Sequence, residues 1–346
     1  MTAHAAGSGT TRMPRSRSRV HRALVAGAVG AAVLLAGCGG QDPDVTVGLI
    51  TKQEENPYWV TMREVAETVA GDENVRLLTA TGSGDADVES QVEALARMTE
   101  EGADGILIAP TDSEAVVPAI EEARAAGVTV IAVDTPTEPE DAVDALFATD
   151  NEEAGRLAGE YAAAKAQEFG LEPRIALLNL TPGGASGLQR EAGFLDGFGI
   201  GADDPQVVGA GDTEGDRDLG EQVMGDLLAE HPDINVVYAV NEPAALGAVA
   251  ALQDADVDLG QVVLVTIDGG CEAIKDAVRP GDIDATVQQY PENMAREGVT
   301  ALAEHARGGP APSGFLDTGA VLITGSPAPG VESRDVAFGV RNCWGD

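Results

Sequence analysis

The chain has 346 residues, a length that at about 150 residues per domain points to two domains. Its 21 Lys and Arg stand against 58 Asp and Glu, a formal charge of −37, which argues against a nucleic-acid binder because phosphate contacts need clustered cations. A highly anionic ligand is also disfavoured, although one local arginine can override the global field, and the plain reading of the acidity is a well-solvated surface.

The first residues read as an export leader rather than as part of the fold. Arg12, Arg15, Arg17, Arg19 and Arg22 precede an apolar run from Ala23 to Leu35, too short for a membrane-spanning helix, which needs about 20 residues. The run ends in Leu35-Ala36-Gly37-Cys38, which resembles the lipobox of bacterial lipoproteins, where cleavage leaves the cysteine first and diacylated. The expectation is therefore a leader over 1–37, lipidation at Cys38, a short tether over 38–44, and a mature protein anchored to the membrane without spanning it. An ordinary signal peptide with an incidental cysteine is the alternative.

From Val45 the chain alternates strands and helices. The strand Val45–Ile50 leads to Asn56-Pro57, a good N-cap followed by proline at the first helical position, and a helix then runs to about Ala70. The cycle continues with strand Val75–Thr79, helix Val88–Glu101, strand Gly105–Ile108, helix Ser113–Ala126 and strand Val128–Val133, with Gly102 and Gly127 as stops. A second series has strand Arg174–Leu180, helix Gly187–Phe198, strand Gln206–Gly209, helix Asp218–Glu230, strand Val236–Val240, helix Pro243–Gln253 and strand Val262–Ile267. Strands apolar on both faces and separated by helices imply crossover units and parallel sheets. The fold class is thus α/β with two doubly wound, Rossmann-like lobes, and the crossover near Thr149-Asp150-Asn151 serves as the hinge.

Besides Cys38 the cysteines are Cys271 and Cys343. In an oxidising compartment that pair reads as a disulfide, with two free thiols as the alternative. No Cys-x-x-Cys spacing and only four scattered histidines give no metal ligand set, so neither metal nor cofactor is expected.

Open α/β sheets bind ligands at the carboxyl ends of their strands. Those ends carry Lys52 and Asn56 after the first strand, Asp134-Thr135 after the fourth, Asn241 after the strand ending near Val240, and Asp268-Gly269-Gly270 after Ile267. Aromatics are only 3% of the chain, yet Tyr58-Trp59 opens a helix at the same edge. One ring of such a pair would ordinarily belong to the core; two from one helix N-terminus place at least one on the crevice.

Taken as a set, Gly48-Leu49-Ile50-Thr51-Lys52, Asn56-Pro57-Tyr58-Trp59, Ile108-Ala109-Pro110-Thr111-Asp112, Val133-Asp134-Thr135-Pro136, Asn241-Glu242-Pro243-Ala244 and Ile267-Asp268-Gly269 resemble the sugar-binding components of bacterial ABC importers of the ribose-binding type, the type I periplasmic binding proteins. The likeness covers residues 45–346. Asp268-Gly269-Gly270-Cys271, Gln288-Gln289-Tyr290-Pro291 and Asn342-Cys343-Trp344-Gly345 are most similar to the branch assigned to fructose-like sugars. The resemblance implies lobes of 45–149 plus 290–319 and 150–289 plus 320–346. It implies that Lys52 and Asn56 touch a sugar, that Tyr58 and Trp59 stack on its C–H faces, and that Asp134, Arg190, Asn241, Asp268 and Gln289 hydrogen-bond its hydroxyls. Two positions depart from the pattern: Gly215 stands where an aromatic commonly precedes Asp216-Arg217, and Thr135 where ribose binders carry an arginine.

The implied protein is a monomeric, lipid-anchored extracytoplasmic receptor that closes on one monosaccharide and delivers it to the transmembrane subunits of an ABC permease. A chemotaxis or quorum-signal receptor of the same fold would share every residue named. A sugar-responsive repressor would need a basic helix-turn-helix at the N-terminus. A glycosidase using Asp134 and Asp268 as paired carboxylates is the enzyme alternative.

Overall fold

The computed structural model describes residues 43–345. The leader, the lipobox and Cys38 lie outside the described residues. Strands β1 (Val45–Thr51), β2 (Val75–Thr81), β3 (Gly105–Ile108), β4 (Thr129–Val133) and β5 (Ala145–Ala148) alternate with helices α1 (Pro57–Asp72), α2 (Val88–Glu100) and α3 (Val117–Ala125). Then come α4 (Asn151–Phe169), β6 (Ile175–Asn179), α5 (Ala185–Phe198), β7 (Val207–Asp212), α6 (Arg217–Glu230), β8 (Val236–Ala239), α7 (Glu242–Asp254) and β9 (Val263–Asp268). A π-helical segment, Ala273–Val278, precedes β10 (Ala285–Gln289), α8 (Pro291–Ala306), β11 (Gly314–Asp317), β12 (Ala320–Thr324), β13 (Arg334–Asp335) and α9 (Val336–Asn342).

These strands form two sheets, ordered β11-β5-β4-β3-β1-β2 and β13-β12-β10-β9-β8-β6-β7, so the fold is α/β with two Rossmann-like lobes. Pairing is parallel except that β12 runs antiparallel to β10, because β12 follows a return from the other sheet rather than a helical crossover. The chain passes between the sheets at 149–150, at 290 and at 318–319. Apolar side chains cover both faces of each sheet: one cluster joins β1 and β3 to α1 and α8, another joins β6, β8 and β9 to α4 and α5. This two-sided burial is why the strands read as continuous apolar runs.

Helix α3 begins at Val117, not at Ser113. Starting it four residues earlier would put Pro118 in the helix interior, where it lacks an N–H to donate; Ser113 instead donates its hydroxyl to the Pro136 carbonyl at 2.7 Å. Two further elements, β5 and α4, occupy the stretch between the two series. Helix α4 lies backbone to backbone against α5: a Cβ at Gly155 would collide with the Arg190 carbonyl, and one at Gly193 with the Glu152 carbonyl. Only glycine permits that approach, and it brings Asn151 at the start of α4 to Arg190 on α5.

Candidate functional site

Lys52, Asp134 and Asp268 stand at strand ends, Arg190 in the second turn of α5 and Asp85 in the loop after β2. In the first lobe, Asn56 caps α1 by accepting from the Tyr58 N–H at 2.9 Å, which fixes the direction in which Tyr58 and Trp59 leave the helix. The two rings meet edge to face with centroids 4.7 Å apart, a preferred aromatic geometry. Tyr58 donates its hydroxyl to Asp134 Oδ1 at 2.9 Å. Burial, and next the Asp134 charge, push its phenol well above the usual tyrosine range, so it stays a donor. Lys52 is buried with its Nζ 3.8 Å from Asp134, 3.9 Å from Asp85 and 5.7 Å from the Trp59 ring centre.

In the second lobe, Arg190 is buried and held by three acceptors: Asn151 Oδ1 at 2.7 Å, the Val240 carbonyl at 3.2 Å and Gln289 Oε1 at 3.3 Å. Its guanidinium sits 3.7 Å from both Asp134 and Asp268, which leaves carboxylate lone pairs free for another donor. Gln289 donates to Asp268 at 2.7 Å. Asn241 caps α7, accepting from the Ala244 N–H at 3.1 Å and donating to the Gly215 carbonyl at 3.1 Å.

Lys52, Asn56, Tyr58, Trp59 and Asp134 from one lobe thus face Arg190, Asn241, Asp268 and Gln289 from the other across a single cleft. The free space left there is about 20 Å³, on the order of one water molecule. Thr135 is not on the cleft wall. It is fully buried and donates to Asp134 Oδ2 at 2.8 Å; since one hydroxyl donates once, Ser186, 2.9 Å away, is the donor to Thr135.

Asp85 lines the same cleft, and the motif reading had not picked it out. It follows β2 in a Gly-Ser-Gly loop, is 7% exposed, and accepts from Gln53 Nε2 at 3.0 Å. Burial raises its pKa while Lys52 opposes the rise. Burial along β2, which follows no regular alternation, gives no hint of it; only the loop's position after a strand of the same sheet could have flagged it. Trp344 was also unplaced by the sequence. It packs edge to face on Tyr58 at 5.2 Å, carried there by a disulfide between Cys271 and Cys343, whose Cα atoms are 4.9 Å apart.

The cleft therefore offers three carboxylates, two cations, three amides and two rings. Beside it, a recess of about 490 Å³ is lined by Glu54, Glu55, Asp85, Glu214 and Asp216, an approach that repels anions. Among the described residues no group of three or more His, Cys, Asp or Glu could hold a metal ion, and no helix is long and apolar enough to cross a membrane.

Two Rossmann-like lobes with convergent polar groups and aromatic rings between their strand ends define a two-lobed binding protein. A family model described as a periplasmic binding protein domain matches residues 47–310. The ribose import binding protein of Bacillus subtilis (strain 168) is 30% identical over 269 residues, 78% of this chain and 84% of that protein. The D-ribose/D-allose-binding protein of Pseudomonas aeruginosa is 30% identical over 293 residues, 80% and 88% of the two chains. A solved ABC transporter solute-binding protein from Agrobacterium vitis with bound D-fucose has a TM-score of 0.73 at 28% identity, covering 81% of this chain and 95% of that one. The chain belongs to the periplasmic binding protein family, in its type I sugar-binding group, and its relatives are transport proteins rather than enzymes.

Proposed function

We propose that this protein captures one neutral monosaccharide, a fructose-like sugar or another hexose or pentose, between its lobes and presents it to an ABC permease. The observation that carries the reading is Arg190 held midway between Asp134 and Asp268, 3.7 Å from each. Sugar hydroxyls both donate and accept, so a carboxylate, guanidinium, carboxylate row supplies charge-assisted bonds in both directions, and Tyr58 with Trp59 suits the C–H faces. Lys52, Asn56, Asn241 and Gln289 complete the polar wall, and Asp85 adds an acceptor. Thr135 orients Asp134 from behind.

With only about 20 Å³ free, a sugar enters when the lobes part at the crossings near 149–150, 290 and 318–319, the first lobe being 45–149 plus 290–319 and the second 150–289 plus 320–346. Contacts from both lobes then favour the closed form, since a ligand shifts a conformational balance only by binding one state better. The acidic approach favours neutral sugars over sugar phosphates and acids. The leader over 1–37 and the lipobox ending at Cys38 support export and a lipid anchor on the extracytoplasmic face, with the protein acting as a monomer.

A thermal-shift panel of D-ribose, D-allose, D-fructose, D-tagatose, their polyols and a sugar phosphate tests this. A sugar present at 100 times its dissociation constant stabilises by about 2.7 kcal/mol, a visible rise in melting midpoint. No response to any neutral sugar, or a response to the phosphate alone, overturns the reading. Recovering the responding sugar unchanged separates a receptor from a glycosidase.

A further inference from the structure

The last residues of the chain form a link between the lobes that is separate from the three crossings. Helix α9 packs on the π-helical segment and on β12 and β13 of the second lobe. Cys343 is bonded there to Cys271, and the Cys271 N–H donates to the Trp344 carbonyl at 2.9 Å. The next side chain reaches the other lobe: Trp344 is 6% exposed within the core cluster that contains Tyr58, Trp59 and Met294. Its indole N–H donates to the Gln289 carbonyl at 2.9 Å. A Cβ at Gly270 would meet the Glu242 carboxylate at 2.6 Å and the Trp344 ring at 3.0 Å, so the loop after β9 carries glycine where it passes between them.

Tyr58 is thereby wedged between two indoles, edge-on to Trp59 at 86° and to Trp344 at 80°. The cleft wall includes Tyr58 and Trp59 but not Trp344. The phenol emerging from the wedge donates to Asp134 Oδ1, while Thr135 donates to Oδ2, so Asp134 is held at both oxygens. We propose that Trp344, pinned to the second lobe by the Cys271–Cys343 bridge, is a positioning residue that sets the Tyr58 hydroxyl on Asp134 and so tunes ligand affinity from the opposite lobe. This rests on the cleft being the sugar site. The bridge acts through Trp344, whose backbone it fixes one residue away, and the hinge residue Gln289 shares the same indole.

Two measurements decide it, one of them without any sugar. The chain has four tyrosines; labelled with 3-fluorotyrosine, it gives four fluorine resonances, and Tyr58→Phe identifies that of Tyr58. Trp344→Ala shifts that resonance most, Trp344→Phe less, and Cys271→Ser with Cys343→Ser in the same direction. A Tyr58 resonance that stays within its wild-type linewidth in all three overturns the proposal. The second measurement titrates whichever of D-ribose, D-allose, D-fructose and D-tagatose raises the melting midpoint most. Trp344→Ala weakens its binding roughly three- to tenfold, the scale of one aromatic pair, and in a Tyr58→Phe background the same change costs less than twofold. Equal losses in both backgrounds mean general loosening and overturn the proposal. If Trp344→Ala does not fold, Trp344→Phe is read in the same two ways. If no sugar binds the wild type, the function proposed above fails and the fluorine spectra alone decide this one.

Discussion

The ends of β4 and β9 use one backbone device for two electrostatic ends. Asp134 and Asp268 both sit at positive φ, 65° and 116°, a conformation that costs a non-glycine residue about 1–3 kcal/mol and persists only where surroundings impose it. Both lie 3.7 Å from Arg190. Asp134 has a second cation, Lys52 at 3.8 Å, and takes hydroxyl donors from Tyr58 and Thr135. Asp268 has a carboxylate neighbour instead. The N–H of Glu242 donates to it at 3.1 Å, while the Glu242 carboxylate accepts from the Gly270 and Ala273 N–H groups. Burial, then Asp268, pushes Glu242 up to about 8; burial, opposed by Arg190, pushes Asp268 up to about 6. Equivalent positions in the two lobes thus have different partners: a second cation and two hydroxyl donors at Asp134, a backbone N–H and a carboxylate neighbour at Asp268.

The change that strikes both ends at once is Arg190→Ala. It leaves Asp134 and Asp268 buried without their shared cation, and removing one partner of a buried ion set costs about 3–5 kcal/mol. Denaturant unfolding checks it, and a loss under about 1 kcal/mol means the ends are electrostatically independent. The disulfide ties the backbone of the β9 end directly and reaches the β4 end only through the Trp344 and Tyr58 side chains. Cys271→Ser with Cys343→Ser opens a loop of sequence separation 72, for which chain entropy suggests about 4 kcal/mol. Hydrogen exchange is expected to speed at residues 268–278 and to stay unchanged at 129–135; equal acceleration at both erases the contrast.

The β9 end gives stability a pH dependence. Asp268 and Glu242 have folded pKa values above their unfolded ones, so the native state holds extra protons and their stabilisation is complete below about pH 4. It is lost as pH rises through about 6 for Asp268 and about 8 for Glu242, with a slope of at most about 1.4 kcal/mol per pH unit for each group. Glu242→Gln flattens the pH dependence between about 4.5 and 8; an unchanged slope in urea midpoints over that range refutes the assignment. The smallest expected effect is Thr135→Val, about 1 kcal/mol of stability for a lost hydroxyl bond with sugar affinity within about threefold, because Thr135 stands behind Asp134. A larger affinity loss than stability loss would put it on the cleft wall.

Legibility in the sequence followed the range of the signal. The alternation of apolar strands and helices is local, and so are the Asn56 cap and the polar residues at the ends of β4, β8 and β9; the structure keeps the Asn56 cap and this order of elements, adding β5 and α4 and starting α3 at Val117. Asp85 and Trp344 depend on tertiary return. The former enters the cleft because its loop folds over Lys52, the latter because a disulfide brings the tail back to Tyr58. Helix α4 went unread because its partner contact is made by Gly155 and Gly159 against α5, and a glycine-lined face has little apolar periodicity to detect. Thr135 was read from its place at a strand end, which gives position along the chain and not the direction of a side chain.

The most direct test is a calorimetric titration of the wild type and of Asp134→Ala with the monosaccharide that gives the largest thermal shift. The account predicts one site per chain in the wild type and a loss of about ten- to hundredfold in the variant, the cost of leaving sugar hydroxyls unpaired in a closed cleft. Binding within twofold of wild type, or a wild type that gives no heat with any neutral sugar, contradicts it.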